Sequence, residues 1–210
     1  MAIKLYNFPM SPNGRKVAAL TIELGINVET VMVDMMKGAH KEPAYVAKNP
    51  NGKVPMLEED GWILWESGAM MQYLADKKPG NTLYPTEPRL RAEVNKWLFW
   101  DAAHLQFESA FPLYMERMFR PMLKQPARPE VHAVAEECFK RFAAVVNGAV
   151  EGKKYLVGDT FTLADLAIVG TMMFRDGAKL DLAPYPHLKA YLENHEQRDS
   201  WKKTAPPPMG

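Results

Sequence analysis

The side chains able to do chemistry gather in the first third of the chain. Ser11-Pro12 opens a helical run, with serine a favoured N-cap and proline a favoured first residue. A capped N-terminus is also where an anion meets unpaired backbone amides, so a hydroxyl there can serve the helix and donate to a bound anion. Read from the residues alone, Ser11 fits both uses. Glu66-Ser67 stands at the start of a second helical run and reads by itself as a cap with an acidic first turn. Val54-Pro55 reads by itself as an ordinary trans proline at the beginning of a strand, where a missing N–H costs no ladder bond. Other chemistries lack their residues. The single cysteine, Cys138, leaves no internal disulfide, Cys-x-x-Cys pair or thiolate zinc site. The histidines His40, His104, His132, His187 and His195 show no metal-binding spacing, and there is no glycine-rich phosphate loop.

The elements that must hold these residues follow from periodicity. Ile3 and Leu5 begin a strand that stops near Pro9, and the helix after Ser11 carries Val17, Leu20 and Leu24 on one face until Gly25. The β-branched stretch Val28 to Val33 predicts a second strand. Val54 to Leu57 and Trp62 to Trp65 flank Asp60-Gly61, a hairpin signal, and a helix runs from about Ser67 to Lys77. This predicts one α/β domain over residues 1–80, built on a mixed four-stranded sheet. Pro79-Gly80, Pro85 and Pro88 mark residues 81–88 as a linker. Residues 89–210 then predict an all-helical domain. Val131, Val134, Cys138, Phe142, Val145 and Ala149 follow helical spacing, as do Leu188, Tyr191, Leu192 and His195. The sharpest folding signal is Phe161 to Leu166, where Thr162 caps a helix, Asp165 reaches back to the Thr162 amide and Phe161 staples onto Leu166. The tail Ala205-Pro206-Pro207-Pro208 predicts fraying.

Hydrophobic residues at 47% and charged residues at 24% are globular values. Lys+Arg 26 against Asp+Glu 25 gives a net charge of +1, with nine of each sign before Gly80. Neither half is a basic footprint, which argues against nucleic acid as a partner. The start Met-Ala-Ile-Lys-Leu has no apolar signal region, and no run of about 18 apolar residues occurs. A soluble, cytoplasmic protein without a membrane partner is expected.

An α/β domain of this order, with Val54-Pro55 leading into its hairpin, resembles the thioredoxin-like fold. Followed by a helical domain with the Thr162-x-x-Asp165 box, the chain resembles a cytosolic glutathione S-transferase over its whole length. The motifs Met10-Ser11-Pro12-Asn13, Gly38-Ala39-His40-Lys41, Asn49-Pro50-Asn51-Gly52-Lys53-Val54-Pro55 and Glu66-Ser67 most resemble the serine-type, phi-like members of bacteria and plants. The implied fold class is α/β plus all-α: a thioredoxin-like domain (βαβαββα) followed by the helical glutathione-transferase domain. The implied activity is conjugation of the glutathione thiolate to small, electrophilic, apolar compounds, with glutathione as co-substrate and no metal. In this resemblance Ser11 matches the catalytic serine, donating a hydrogen bond to the thiolate, and Asn13 is the rival donor. Pro55 matches a cis-proline that leaves the Val54 backbone to pair with the cysteinyl part of glutathione. Ser67 and its neighbouring amides would take the γ-glutamyl carboxylate, and Glu66 the ammonium. His40, Lys41 and Lys53 would supply positive charge to the glycyl carboxylate. Gly68 stands where the phi pattern has a basic residue.

The acceptor is expected between the domains, above Ser11, with Met10, Asn13, Met35 and Met36 facing Phe107, Phe111, Met115 and Phe119. Those last four share a helical face, a stripe that suits a core as readily as a pocket, while 14 methionines suit an adaptable pocket. The resemblance also implies a homodimer. Leu90, Val94, Trp97, Leu98 and Trp100 offer more apolar surface than one core needs, and Asp101 would reach the glutathione of a neighbouring subunit. The same fold also admits glutathione-dependent reduction of disulfides or peroxides, ether cleavage, or a non-catalytic scaffold. The joint presence of Ser11, Pro55, Glu66 and Ser67 argues against the scaffold.

Overall fold

Ile3, Leu5 and Asn7 turn inward on the first strand while Lys4 and Tyr6 stay half-exposed, the period-two alternation of a strand with one covered face. This strand, β1 (Ile3–Asn7), pairs in parallel with β2 (Val28–Met32) and antiparallel with β3 (Met56–Glu59), which pairs antiparallel with β4 (Trp62–Trp65). The sheet order is β2-β1-β3-β4, the mixed four-stranded sheet expected from sequence. The structure, a computed structural model, describes residues 3–207. These fall into two units, residues 3–84 with 198–207, and residues 85–197.

In the first unit the helix α1 (Pro12–Leu24) joins β1 to β2 and ends at Gly25, whose φ of 62° is the left-handed conformation glycine adopts without strain. After α2 (Pro43–Val46), the hairpin turns on Asp60 and Gly61 at φ 50° and 83°, the two left-handed residues that match strand twist. Leu5, Val17, Leu20, Leu57 and Leu74 are buried where α1 and α3 (Ser67–Asp76) pack together. β3 begins at Met56 rather than Val54. Pro55 has no N–H to give, and the Lys53 carbonyl is already taken by Tyr45 and Asn49.

The last described segment belongs to this unit and not, as expected, to the helical domain. Its helix α10 (Asp199–Lys203) packs on α1. The Arg15 guanidinium stacks 3.4 Å from the Trp201 ring centroid and donates to the Trp201 carbonyl at 2.8 Å. Arg198 forks onto Glu23 at 2.8 and 2.6 Å, and Ser200 donates to the same carboxylate. Burial of one large indole with a stacked guanidinium holds this helix on α1, and the proline-rich stretch follows it without regular structure over residues 205–207. Pro208 lies outside the described residues.

The second unit opens with α4 (Pro88–Trp100), which runs on through a π-helical stretch (Asp101–Ala110), α5 (Phe111–Tyr114), a second π stretch (Met115–Phe119) and α6 (Arg120–Met122). Pro112 and Pro121 each stand just beyond a π stretch. A proline ring clashes with the carbonyl four residues back, here Glu108 and Arg117, and the wider π turns admit it without breaking the rod. Then follow α7 (Pro129–Ala149), α8 (Leu163–Thr171) and α9 (Pro186–His195).

Every residue of α8 is buried, and its N-terminus carries the full capping box. Asp165 accepts from the Thr162 and Leu156 amides at 2.8 Å each and from the Tyr191 hydroxyl at 2.7 Å. On α7 the buried face is Ala135, Phe139, Phe142, Ala143 and Val146, while Val134 and Val145 face solvent. The stripe of larger residues expected from sequence is therefore displaced around the helix, because small alanines at 135 and 143 let α7 lie close against the rod. Among the described residues, no helix is long and apolar enough to cross a membrane.

Candidate functional site

Sheet register gathers the predicted residues of the first unit. Asn7 lies opposite Met32, Tyr6 opposite Met56, and Met56 opposite Trp65. The loops leaving β1 (residues 8–11), β2 (33–41) and β4 (66–67), and the one entering β3 (53–55), therefore issue from one end of the sheet. That end is the carboxyl end of the parallel pair, where open α/β sheets bind ligands. It carries Met10, Ser11, Met35, His40, Lys41, Lys53, Val54, Pro55, Glu66 and Ser67, with Asn13 in the first turn of α1.

Ser11 is the N-cap of α1, with its Oγ accepting from the Gly14 amide at 3.1 Å and its own amide donating to the Phe8 carbonyl at 2.9 Å. A hydroxyl that accepts from Gly14 keeps its proton to give to another acceptor. The first turn of α1 contains no carboxylate, so an anion at Ser11 meets the positive end of the helix unopposed. The sequence reading missed what shapes this loop. Buried Asn7 accepts from the Phe8 amide at 2.8 Å and lies so close to Gly14 that a Cβ there would fall 1.7 Å from Asn7 Oδ1. The available signal was an asparagine closing a strand seven residues before a glycine. Tyr6, a phenol close by in sequence, donates to Glu58 at 2.7 Å and accepts from Lys48 at 3.1 Å, so its oxygen is occupied elsewhere.

The Val54–Pro55 bond is cis and both residues are buried. Tyr45 donates to the preceding Lys53 carbonyl at 2.6 Å and Asn49 at 2.8 Å, two residues to which sequence reasoning gave no role. Burial pushes the Tyr45 phenol up to about 12, despite its contact with Asn49, so it remains a donor. Lys41 and Lys53 are exposed. His40 is half-buried on a short turn (Ala39–Lys41), and its Nδ1 has no hydrogen-bond partner among the described residues. Glu66 holds φ 73° and ψ 113° immediately before α3, a strained backbone for a non-glycine residue. Its exposed side chain makes no cap bond, which leaves the first-turn amides of α3 uncapped by it.

In the second unit the aromatic stripe is surface rather than core. Phe107 is 74% exposed and Phe111 49%, while Met115 and Phe119 are half-buried, Phe119 lying edge-on to Phe174 at 5.7 Å. Asp101 corrects an expectation. It is only 2% exposed and adds to the charges that, after burial itself, raise the Tyr114 phenol. So little of this carboxylate reaches the surface of a single chain that the geometry gives the expected cross-subunit role no support. Among the described residues, no group of three or more His, Cys, Asp or Glu side chains could hold a metal ion.

Comparison with known proteins places these features in a family. A family model described as the glutathione S-transferase N-terminal domain matches residues 1–76, and one described as the C-terminal domain matches residues 110–199. Glutathione S-transferase 3 of Zea mays is 35% identical, spanning 98% of this chain and 96% of its own length. Glutathione transferase F7 from Populus trichocarpa has a similar structure, with a TM-score of 0.88 at 30% identity over 97% of this chain and 98% of that one. A glutathione S-transferase-I solved with the ligand lactoylglutathione gives a TM-score of 0.85 at 29% identity over 98% and 99% of the two chains. With a thioredoxin-like sheet domain followed by a helical domain, and both family models matched in order, the chain belongs to the glutathione S-transferase family of enzymes.

Proposed function

We propose that the protein binds glutathione at the sheet end that carries Ser11 and conjugates its thiolate to small, apolar electrophiles. The observation that carries this is the convergence of the Ser11 cap, the Val54–Pro55 turn, the His40 turn and the Glu66–Ser67 helix start on one end of one sheet. A free thiol has a pKa near 8.5, so only a few per cent is thiolate at pH 7. The Ser11 hydroxyl and the positive end of α1 favour the anion, each unit of depression being about 1.4 kcal/mol. Ser67 and the first amides of α3 take the γ-glutamyl carboxylate and Glu66 the ammonium. The Val54 main chain pairs with the cysteinyl part, and His40, Lys41 and Lys53 face the glycyl carboxylate. Met10 and Met35, flexible apolar side chains at the same sheet end, receive the acceptor. A cytoplasmic homodimer accompanies this reading. Exposed Leu90 and Phe99 on α4 supply apolar surface for a second copy, and light scattering should report twice the mass of one chain.

The binding claim is tested by thermal and urea unfolding with and without glutathione. Saturation at 100 times Kd should add about 2.7 kcal/mol of stability. No shift at millimolar glutathione would overturn the assignment. A panel of aryl halides, epoxides, isothiocyanates, peroxides and mixed disulfides then separates conjugation from reduction.

A further inference from the structure

We propose that the Tyr45 hydroxyl and the Asn49 side-chain amide are positioning residues for glutathione, jointly clamping the Lys53 carbonyl so that the Val54 N–H and the Lys53 side chain face the ligand. This rests on the glutathione reading above. The Lys53 carbonyl receives both donors, at 2.6 and 2.8 Å, which uses both of its lone pairs. It belongs to the same planar, trans peptide unit as the Val54 N–H, and in such a unit the two groups point opposite ways. Fixing the carbonyl toward the clamp therefore fixes the Val54 N–H away from it.

Both donors are themselves immobile. The Tyr45 ring is packed in a cluster with Val33, Val54 and Met56. Asn49 is 1% exposed, its amide donates to the Tyr45 carbonyl at 2.9 Å, and its Oδ1 accepts from the Asn51 amide at 3.1 Å and from Asn51 Nδ2 at 3.3 Å. The turn closes through the Gly52 amide, which donates to the Asn49 carbonyl at 2.9 Å. Gly52, at φ 55°, passes so near the His40 backbone that a Cβ would lie 3.2 Å from the His40 carbonyl. The clamp thus also sets the spacing between the Lys53 turn and the His40 turn, two sources of positive charge at the site.

The test uses the full chain with Tyr45→Phe, Asn49→Asp and the double variant. Tyr45→Phe keeps the packed ring, and Asn49→Asp keeps the shape while removing the donor. Each single variant should raise the Kd for glutathione about 3- to 10-fold. The double variant should exceed the product of the two, because either donor alone still holds the carbonyl. The pKa of bound glutathione, followed by thiolate absorbance, should stay constant because Ser11 is untouched. γ-Glutamylcysteine, which lacks the glycyl carboxylate, should bind the wild type more weakly than glutathione, and this preference should shrink in the variants. Variants with a lower urea midpoint but unchanged Kd and unchanged preference would show a merely structural clamp and overturn the proposal. Wild-type protein that binds no glutathione would instead sink the reading of the site, and the clamp with it.

Discussion

Gly14→Ala sets two effects of known size against each other beside the candidate catalytic serine. In an ordinary helix the change is favourable, about 0.4–1 kcal/mol, because glycine gives up more backbone entropy on folding. Here the new Cβ would lie 1.7 Å from Asn7 Oδ1 and 2.8 Å from Asn7 Cγ, far inside van der Waals contact. Asn7, itself buried, must swing away and give up its bond from the half-buried Phe8 amide at 2.8 Å, which together with the displaced packing costs about 1–3 kcal/mol. The loss wins, for a net destabilisation of about 1–2 kcal/mol, read as a lower urea midpoint and roughly 3–6 °C off Tm. Function should fall further than stability. The Phe8 carbonyl anchors the Ser11 amide at 2.9 Å, and a misplaced hydroxyl should reduce turnover tenfold to a hundredfold. In an Asn7→Ala background the obstacle is gone, and Gly14→Ala should become stabilising. A single Gly14→Ala variant as stable and as active as wild type would refute the packing argument.

Ser11→Ala should lower turnover about 10- to 1000-fold with glutathione affinity nearly unchanged, and raise the pKa of the bound thiol; a comparable loss from Asn13→Ala instead would transfer the role to Asn13. The variant should also lose about 1 kcal/mol of stability, because Ser11 caps α1. Glu59 is held below its ordinary 4.5 by the Lys77 ammonium and the Tyr73 hydroxyl, so its stabilisation is full above pH 4.5 and is lost as pH falls through the lowered value. Urea midpoints should therefore fall less between pH 6 and pH 3 in Glu59→Gln than in wild type; an identical decline would remove Glu59 from the acid response. Gly68→Arg should tighten glutathione binding, since a Cβ there meets nothing within 4 Å and the position stands in the first turn of α3; calorimetry showing weaker binding would count against the γ-glutamyl assignment.

What the sequence made legible was local. Ser11-Pro12, Asp60-Gly61 and Thr162 with Asp165 are complete signals within two to four residues, and each forms the cap, turn or box it spells. Val54-Pro55 and Glu66-Ser67 needed a family pattern, because a proline or a helix cap in isolation has commoner uses. The residues that shape the site were silent for a different reason. Asn7 matters only against Gly14, and Tyr45 only against Lys53, pairings that exist once the chain has folded back. The burial of Asp101 was not legible because charge normally signals surface, whereas this carboxylate is almost wholly covered. The outward turn of Phe107 and Phe111 is hidden likewise. Helical spacing shows which residues share a face and not whether that face is covered.

The bonds that bring the end of the chain onto α1 span 175 residues from Glu23 to Arg198 and 186 from Arg15 to Trp201. A ribosome adding roughly 5–20 residues each second needs roughly 10–40 s to cover that distance. During that interval the β-sheet unit exists without the indole that its Arg15 stacks on, and the whole helical unit is made in the meantime. Birth order and folding order are therefore inverted: the unit that emerges first is the last that can be completed. A chain stalled before residue 198 would carry the sheet and helices α1 to α3 of this unit but lack the Arg198 fork on Glu23 and the Trp201 ring over Arg15. Quality control would then meet, on the outer face of α1, a carboxylate without its Arg198 fork and a guanidinium without its indole cover.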